Sequence, residues 1–255
     1  MLIDTHCHLD APEFDADRPE VVARAHAAGV ATMIVPAITV ATFAKTVAVA
    51  RQYDCPLALG LHPIYLPEYQ PQHLAILREW VAREQPVAIG EIGLDFFVPG
   101  LDPAHQYALL VEQLKIARDF DLPVLLHIRR AQDQVLKALR QVGVKGGIAH
   151  AFNGSRQQAD AFIRLGFKLG FGGAFTYPRA LNLRRLAEEL PLESIVLETD
   201  SPDMAPEWIS RQRNEPAQLL RIATLLAELR GISLQDLTAV TTANAREIMG
   251  SVGRT

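Results

Sequence analysis

Two histidines one residue apart, His6 and His8, follow the apolar residues Leu2 and Ile3. If residues 2–6 form a β-strand, side chains alternate between its faces, so both imidazoles project to the same side. Neutral imidazole is the commonest protein ligand for metals, so this pair predicts half of a metal site. The alternative interpretation is two unrelated surface or core histidines.

Further histidines and carboxylates follow apolar runs elsewhere: Glu91, His127, His150 and Asp200. Glu91 comes directly after Val-Ala-Ile-Gly, where an unpaired carboxylate would be costly to bury, so metal bridging is favoured. His127 and His150 are alternatively hydrogen-bonded core histidines, and Asp200 is alternatively a helix N-cap. His62 precedes a proline, and it either shapes the loop or contacts substrate.

The elements that would position these residues alternate regularly along the chain. The predicted strands cover residues 2–6, 31–36, 57–61, 87–92, 123–127, 147–150, 167–171 and 194–198. The predicted helices cover residues 18–28, 40–51, 72–83, 103–120, 131–141, 155–165, 181–189, 215–229 and 233–249. Eight strand–helix units imply a parallel sheet and predict an α/β fold, a (β/α)₈ TIM barrel spanning 1–255 as one domain. An open doubly wound sheet is the alternative, but its Gly-rich nucleotide-binding fingerprint is absent.

The candidate ligands all stand at the carboxyl ends of predicted strands, which converge on one mouth of such a barrel. Four imidazoles and two carboxylates are too many for one four-coordinate ion, so we expect two divalent ions. One ion is expected on His6, His8, Glu91 and Asp200. The other is expected on Glu91, His127 and His150, with Glu91 bridging. Such a pair suits hydrolysis.

Composition limits the remaining possibilities. The 255 residues are 49% hydrophobic and 21% charged, with a net charge of -4, which argues against a wide basic surface for nucleic acid. Two cysteines, Cys7 and Cys55, indicate reduced thiols. No signal peptide and no apolar run of about 20 residues is evident, so we expect a cytoplasmic protein without a membrane span.

The strand-end motifs are Ile3-Asp4-Thr5-His6-Cys7-His8, Gly60-Leu61-His62-Pro63, Gly90-Glu91-Ile92-Gly93-Leu94-Asp95, Leu122-Pro123-Val124 with His127 and Arg129-Arg130, His150 with Phe152 and Gly154, and Leu197-Glu198-Thr199-Asp200-Ser201-Pro202. Together they resemble the TatD family of metal-dependent hydrolases, within the amidohydrolase-like barrels. Tyr177-Pro178-Arg179-Ala180 and Ser201-Pro202-Asp203-Met204 resemble its YjjV-type branch most closely.

The resemblance implies a metal-dependent deoxyribonuclease, often a 3′→5′ exonuclease, acting on DNA ends or short oligonucleotides. Its ligand positions fall on the six residues derived above. The departures, Ala151 where Cys or Gly is usual and Ser201 where Ala is common, affect no proposed ligand.

The leading hypothesis is phosphodiester hydrolysis by a metal-activated water, with Asp200 as general base. His62 and Arg129 are expected to contact the phosphoryl oxygens, and Arg213 is a further phosphate contact. Arg129 alternatively forms a salt bridge within the barrel rim. The ions are zinc, magnesium or manganese, because imidazoles favour zinc whereas the family resemblance points to magnesium.

Two other functions stay open. The same site would hydrolyse a small ester, amide or phosphoester, and the acidic balance without aromatic–basic stripes supports this alternative. A non-catalytic metal-binding barrel is the third, less favoured because the site leaves a position for water.

Overall fold

The computed structural model describes residues 1–250 as a curled parallel sheet with helices packed on its outer face. Its strands are β1 (Leu2–Asp4), β2 (Val30–Met33), β3 (Val35–Pro36), β4 (Leu57–Leu59), β5 (Ala88–Asp95), β6 (Val124–Arg129), β7 (Gly147–Ala149), β8 (Phe167–Phe171) and β9 (Ile195–Leu197). Strands β3 to β9 form one seven-stranded sheet in chain order, and β1 pairs with β2. Every pairing is parallel.

Helices separate most of the strands, as the alternating pattern predicts. They are α1 (Arg18–Ala27), α2 (Phe43–Gln52), α3 (His73–Glu84), α4 (Pro103–Asp119), α5 (Gln132–Val142), α6 (Arg156–Arg164), α7 (Leu181–Glu189), α8 (Leu219–Arg230) and α9 (Leu234–Met249). Capping side chains set several starts: Asp102 accepts from the Ala104 N–H before α4, and Ser155 forms a capping box with Gln158 before α6. The predicted helix 215–229 begins later, because Pro216–Gln218 forms a short 3-10 turn first.

The predicted second strand, 31–36, is divided at Ile34 into β2 and β3. The Ile34 N–H donates to the Asp4 carbonyl at 2.8 Å, and the Ile34 carbonyl accepts from the Cys7 N–H at 3.0 Å. The chain therefore changes neighbour there, from β1 to β4. On the other side of β1, the Thr5 N–H donates to the Leu197 carbonyl at 3.0 Å. The α/β class and the parallel sheet are confirmed, and the closed eight-stranded barrel stays a prediction.

Apolar residues on the two faces of the sheet leave one end of the strands open. A small cluster fills the inside, with Ile3, Leu125 and Val196 buried against Ala245 and Met249 of α9. A larger cluster packs the outer face of the sheet against the surrounding helices. Helix α9 thus packs at the amino ends of the strands, and the carboxyl ends remain available for a site.

Within residues 1–250, no helix has the length and apolar character needed to cross a membrane. The predicted single domain includes residues 251–255, which lie outside the described residues.

Candidate metal centre

All six predicted ligands meet at the carboxyl ends of the strands. They follow β1 (His6, His8), lie within β5 (Glu91) and β6 (His127), or follow β7 (His150) and β9 (Asp200). Because the strands are parallel, their carboxyl ends lie at the same edge, where β5, β6 and β7 are neighbours and β8 separates β7 from β9. The rings of His6 and His150 stack with their centroids 3.7 Å apart.

Glu91 is the centre of this cluster and is 2% exposed. Its Oε2 atom lies 3.1 Å from His6 Nε2 and 3.4 Å from His8 Nε2. Its Oε1 atom lies 3.1 Å from His127 Nδ1, 3.3 Å from His62 Nε2 and 3.9 Å from His150 Nε2. The two oxygens of one carboxylate therefore face two different sets of imidazoles.

Asp200 also lies between two sets of imidazoles. Its Oδ1 atom is 3.7 Å from the Nε2 atoms of both His6 and His8, and its Oδ2 atom is 3.6 Å from His150 Nε2. The side chain keeps 15% exposure toward the cavity. Burial raises the pKa of this carboxyl to about 6.

Two carboxylates that the sequence analysis did not single out lie beside two of the candidate ligand histidines. Asp95 Oδ2 lies 3.0 Å from His127 Nε2, while its Oδ1 accepts the Phe97 and Val98 N–H groups. Glu198 Oε1 lies 3.1 Å from His150 Nδ1, but the angle at the ring nitrogen does not meet the requirement for a hydrogen bond. A carboxylate on the second ring nitrogen fixes the tautomer and leaves the first nitrogen for a metal. The sequence signal that could have found them is their position at strand ends, since Asp95 is the last residue of β5 and Glu198 directly follows β9.

Asp4 is a third buried acid that the sequence analysis left unassigned. Its carboxylate accepts hydrogen bonds from the Thr199 N–H at 2.9 Å, the Thr199 hydroxyl at 2.6 Å and the His6 N–H at 3.2 Å. Burial outweighs these bonds and raises its pKa to about 7. Asp4 thus ties the end of β1, and with it His6, to the segment that carries Asp200.

A backbone hydrogen bond to His62 fixes which of its two ring nitrogens carries the proton. Its Nδ1 atom accepts from the Ile64 N–H at 3.2 Å, and burial lowers its pKa to about 4. A neutral imidazole that accepts at Nδ1 carries its proton on Nε2. Possible metal-ligand atoms of His62, Glu91 and His127 lie within 4.8 Å of one another. The Nε2 atom of His62, however, carries a proton and therefore has no lone pair for a metal ion.

The cluster forms the base of a cavity of about 480 Å³. Arg129 lines this cavity with its guanidinium 3.6 Å from the centre of the Phe97 ring, and within residues 1–250 no carboxylate lies within 4.0 Å of it. Arg213 does not line the cavity. Its guanidinium donates to both carboxylate oxygens of Asp17 at 2.7 Å and to the Glu13 carbonyl.

The charges in the cluster match what a cation requires. Burial alone would raise the pKa of the Glu91 carboxyl, but the surrounding imidazoles, first His62 and His6, hold it well below its ordinary value. Burial lowers the pKa of His6 to about 3, so that imidazole is neutral. Burial opposes protonation of His8 and His150, but Glu91 beside His8 and Glu198 beside His150 raise their pKa values to about 9 and about 10. An ionised carboxylate bordered by histidines that would otherwise need protons fits a metal site.

Possible ligand atoms also satisfy the spacing of a metal site. The groups His6–Glu91–His150 and His6–His8–Asp200 each bring three such atoms within 4.8 Å of one another. Nitrogen and carboxylate oxygen suit zinc, manganese and related divalent ions. A cluster of this kind at the carboxyl ends of a parallel sheet is typical of metal-dependent hydrolases.

Comparison with known proteins gives the family. The profile of the family "TatD related DNase" matches residues 3–250. The uncharacterized metal-dependent hydrolase YjjV of Escherichia coli (strain K12) is 46% identical over 235 residues, which cover 89% of this chain and 90% of YjjV. The crystal structure of an E. coli YjjV, described as a TatD homolog, superposes with a TM-score of 0.94 at 41% identity, covering 97% of each chain. The 3′-5′ ssDNA/RNA exonuclease TatD of Cronobacter sakazakii is 37% identical over 256 residues, 97% of each chain. The chain belongs to the TatD family and is a metal-dependent hydrolase.

Proposed function

We propose that this protein binds two divalent cations and hydrolyses phosphodiester bonds of DNA as a 3′→5′ exodeoxyribonuclease. The observation that carries the proposal is the position of Glu91, whose two oxygens face separate sets of imidazoles. A carboxylate in that position would hold one ion with each of its oxygens, together with the imidazoles on that side. The name of the C. sakazakii relative supports nucleic acid as the substrate.

We assign one ion to His6, His8, Glu91 and Asp200, and the other to Glu91, His127 and His150. Asp95 beside His127 Nε2 leaves Nδ1 as the ligand atom, and Glu198 beside His150 Nδ1 leaves Nε2. Zinc, magnesium and manganese are the candidate ions. When bound, such ions lower the pKa of a coordinated water and neutralise charge on the phosphoryl oxygens.

Three residues of the protein bind the substrate or transfer a proton. Asp200 is open to the cavity and would accept the proton of the attacking water as general base. His62 donates from Nε2 to a phosphoryl oxygen, because its Nδ1 is already occupied by the Ile64 N–H. Arg129 lines the cavity without a carboxylate partner among the described residues, so its guanidinium is available to a second phosphoryl oxygen.

The fold proposed for this site is a closed eight-stranded barrel in a single cytoplasmic domain. Strands β2 and β3 are separated only by Ile34 and would count as one strand. Hydrogen bonds from β1 toward Ile34 and Leu197 support closure between the first strand and β9.

A small ester, amide or phosphoester is the alternative substrate. One observation favours it: Asp10, Glu13 and Asp203 line the catalytic cavity, and their charges oppose a long polyanion. The YjjV relative carries no substrate in its name.

The deciding experiment assays metal-reconstituted protein on 3′-labelled and 5′-labelled single-stranded DNA beside a panel of small esters. We expect stepwise shortening from the 3′ end, abolished in Asp200→Asn and His127→Ala. His105→Ala, on an exposed helical position, is the matched control and should keep full activity. Turnover of esters with inert DNA would replace the nuclease with the alternative, and full activity in Asp200→Asn would overturn the mechanism.

A further inference from the structure

A second, larger cavity adjoins the catalytic one. This groove, of about 810 Å³, runs between the segment after β8 and the loop after β9. Its walls include Tyr177 and Arg179 on one side and Met204 and Arg211 on the other. Pro202 and Asp203 line both cavities. A chain leaving the catalytic cavity across residues 202–203 therefore enters the groove directly.

The two walls of the groove are held together by specific contacts. A Cβ atom at Gly173 would lie 2.1 Å from the Met204 carbonyl oxygen, so only glycine permits this close approach. The Tyr177 hydroxyl donates to the Ala205 carbonyl at 3.0 Å. The Thr176 hydroxyl accepts from the Glu207 N–H at 2.9 Å. These contacts fix the distance between the two walls of the groove.

The groove carries unpaired positive charge. Arg179 and Arg211 are exposed, and among residues 1–250 neither has a carboxylate within 4.0 Å. Neighbouring Arg213 is instead neutralised by Asp17. Asp203 is the one carboxylate among the groove's lining residues, so their formal charge is +1 from two arginines and one aspartate. This differs from the catalytic cavity, whose lining is acidic.

The groove also offers surface on which a base could stack. The Tyr177 ring is half-buried with its hydroxyl anchored, and the Arg179 guanidinium lies 5.7 Å from its centre. Met204 is 37% exposed, and large apolar side chains are otherwise mostly buried. Arginine with an aromatic ring along a groove is the combination that binds single-stranded nucleic acid.

We propose that this groove binds the single-stranded DNA that extends beyond the nucleotide being removed, with Arg179 and Arg211 holding successive phosphates. The inference rests on the proposed nuclease function, since the strand is continuous with the one in the catalytic cavity. The positive charges of Arg179 and Arg211 in the groove compensate for the acidic side chains around the metal centre. The groove thereby makes a polymer a better substrate than a short fragment.

The first test measures binding without cleavage. The probe is a fluorescein-labelled oligothymidylate of about 12 nucleotides with phosphorothioate linkages, titrated into metal-reconstituted protein and followed by anisotropy. The double variant Arg179→Gln with Arg211→Gln should weaken binding about 10-fold or more, because two phosphate contacts are lost. Its affinity should also depend less on salt, with a logarithmic slope shallower by about 1.4.

The matched control has the same charge change elsewhere. Arg140 and Arg164 are exposed on α5 and α6 and line neither cavity. Arg140→Gln with Arg164→Gln should bind as the wild type does. Equal affinity and salt slope in the groove variant and the wild type would overturn the proposal.

The second test separates the groove from the nuclease function. In the groove variant, kcat/KM should fall on the long oligonucleotide and stay unchanged on a dinucleotide, which occupies only the catalytic cavity. If the wild type binds DNA through the arginines but cleaves none, the nuclease proposal fails and the groove stands. If the wild type cleaves DNA and the variant matches it on both lengths, the groove alone fails.

Discussion

The carboxylate of Glu198 occupies the space that a side chain at residue 170 would need. A Cβ atom on Gly170 would lie 2.2 Å from Glu198 Oε2 and 2.6 Å from its Cδ. Glu198 is 1% exposed, so it cannot move into solvent. The same carboxylate accepts the Ala151 N–H at 2.5 Å and faces His150 Nδ1. Glycine at 170 is therefore a condition for the orientation of a proposed metal ligand.

We predict that Gly170→Ala lowers both stability and metal affinity. The added methyl group overpacks a closed site, which typically costs about 1–3 kcal/mol of unfolding free energy. Displacement of Glu198 should also free the His150 ring and weaken metal binding about 10-fold or more. Denaturant unfolding and metal titration measure the two effects.

A double-mutant cycle provides the control. Glu198→Ala removes the clashing carboxylate, so Gly170→Ala should destabilise that background much less than the wild type. Equal destabilisation in both backgrounds would show that the clash does not involve Glu198.

The second prediction concerns Asp95, whose two oxygens have separate roles. Oδ2 faces His127 Nε2, and Oδ1 accepts the Phe97 and Val98 N–H groups. Asp95→Asn can keep the backbone hydrogen bonds through its amide oxygen but puts an N–H group opposite His127. Metal affinity should fall about 10- to 100-fold while the unfolding transition changes little. An unchanged metal affinity would contradict a positioning role for Asp95.

The third prediction concerns protons released on metal loading. In the metal-free protein His8 and His150 hold protons at neutral pH, because their pKa values are about 9 and about 10. Ligation needs the neutral imidazole, so loading should release on the order of two protons. Metal affinity should accordingly rise as the pH increases from neutral toward the pKa values. Calorimetry in buffers of different ionisation enthalpy measures the release, and a heat independent of buffer would refute it.

The sequence was sufficient to select six candidate ligands that lie together in the structure, because parallel strands carry their carboxyl ends to one edge. His6 and Glu91 are 85 residues apart in the chain, yet their proposed ligand atoms are 3.1 Å apart. The rule that strand ends converge requires only the strand–helix pattern and no knowledge of contacts. For the same reason, the sequence predicts the α/β class correctly even though it predicts one strand over 31–36, where the structure has β2 and β3 separated by Ile34.

Residues that depend on side-chain direction could not be predicted in this way. Glu198 and Asp95 stood in the strand-end motifs, but their pairing with histidines depends on register and rotamer. The tautomer of His62 depends on the turn that brings the Ile64 N–H to its ring. Arg179 and Arg211 are separated by 31 intervening residues, so no basic run in the sequence indicated the groove.

The last prediction separates the two arginines that were both expected to contact phosphate. Arg129 lines the catalytic cavity beside Phe97, which is 45% exposed, whereas Arg213 is engaged by Asp17 on the surface. Arg129→Gln should lower kcat/KM for DNA about 10- to 100-fold, since a charge-assisted hydrogen bond to phosphate is lost. Arg213→Gln should leave kcat/KM unchanged, because its guanidinium already has its partners. Steady-state assays of both variants decide the point: a loss confined to Arg213→Gln would require that arginine to leave Asp17 and reach the cavity during catalysis.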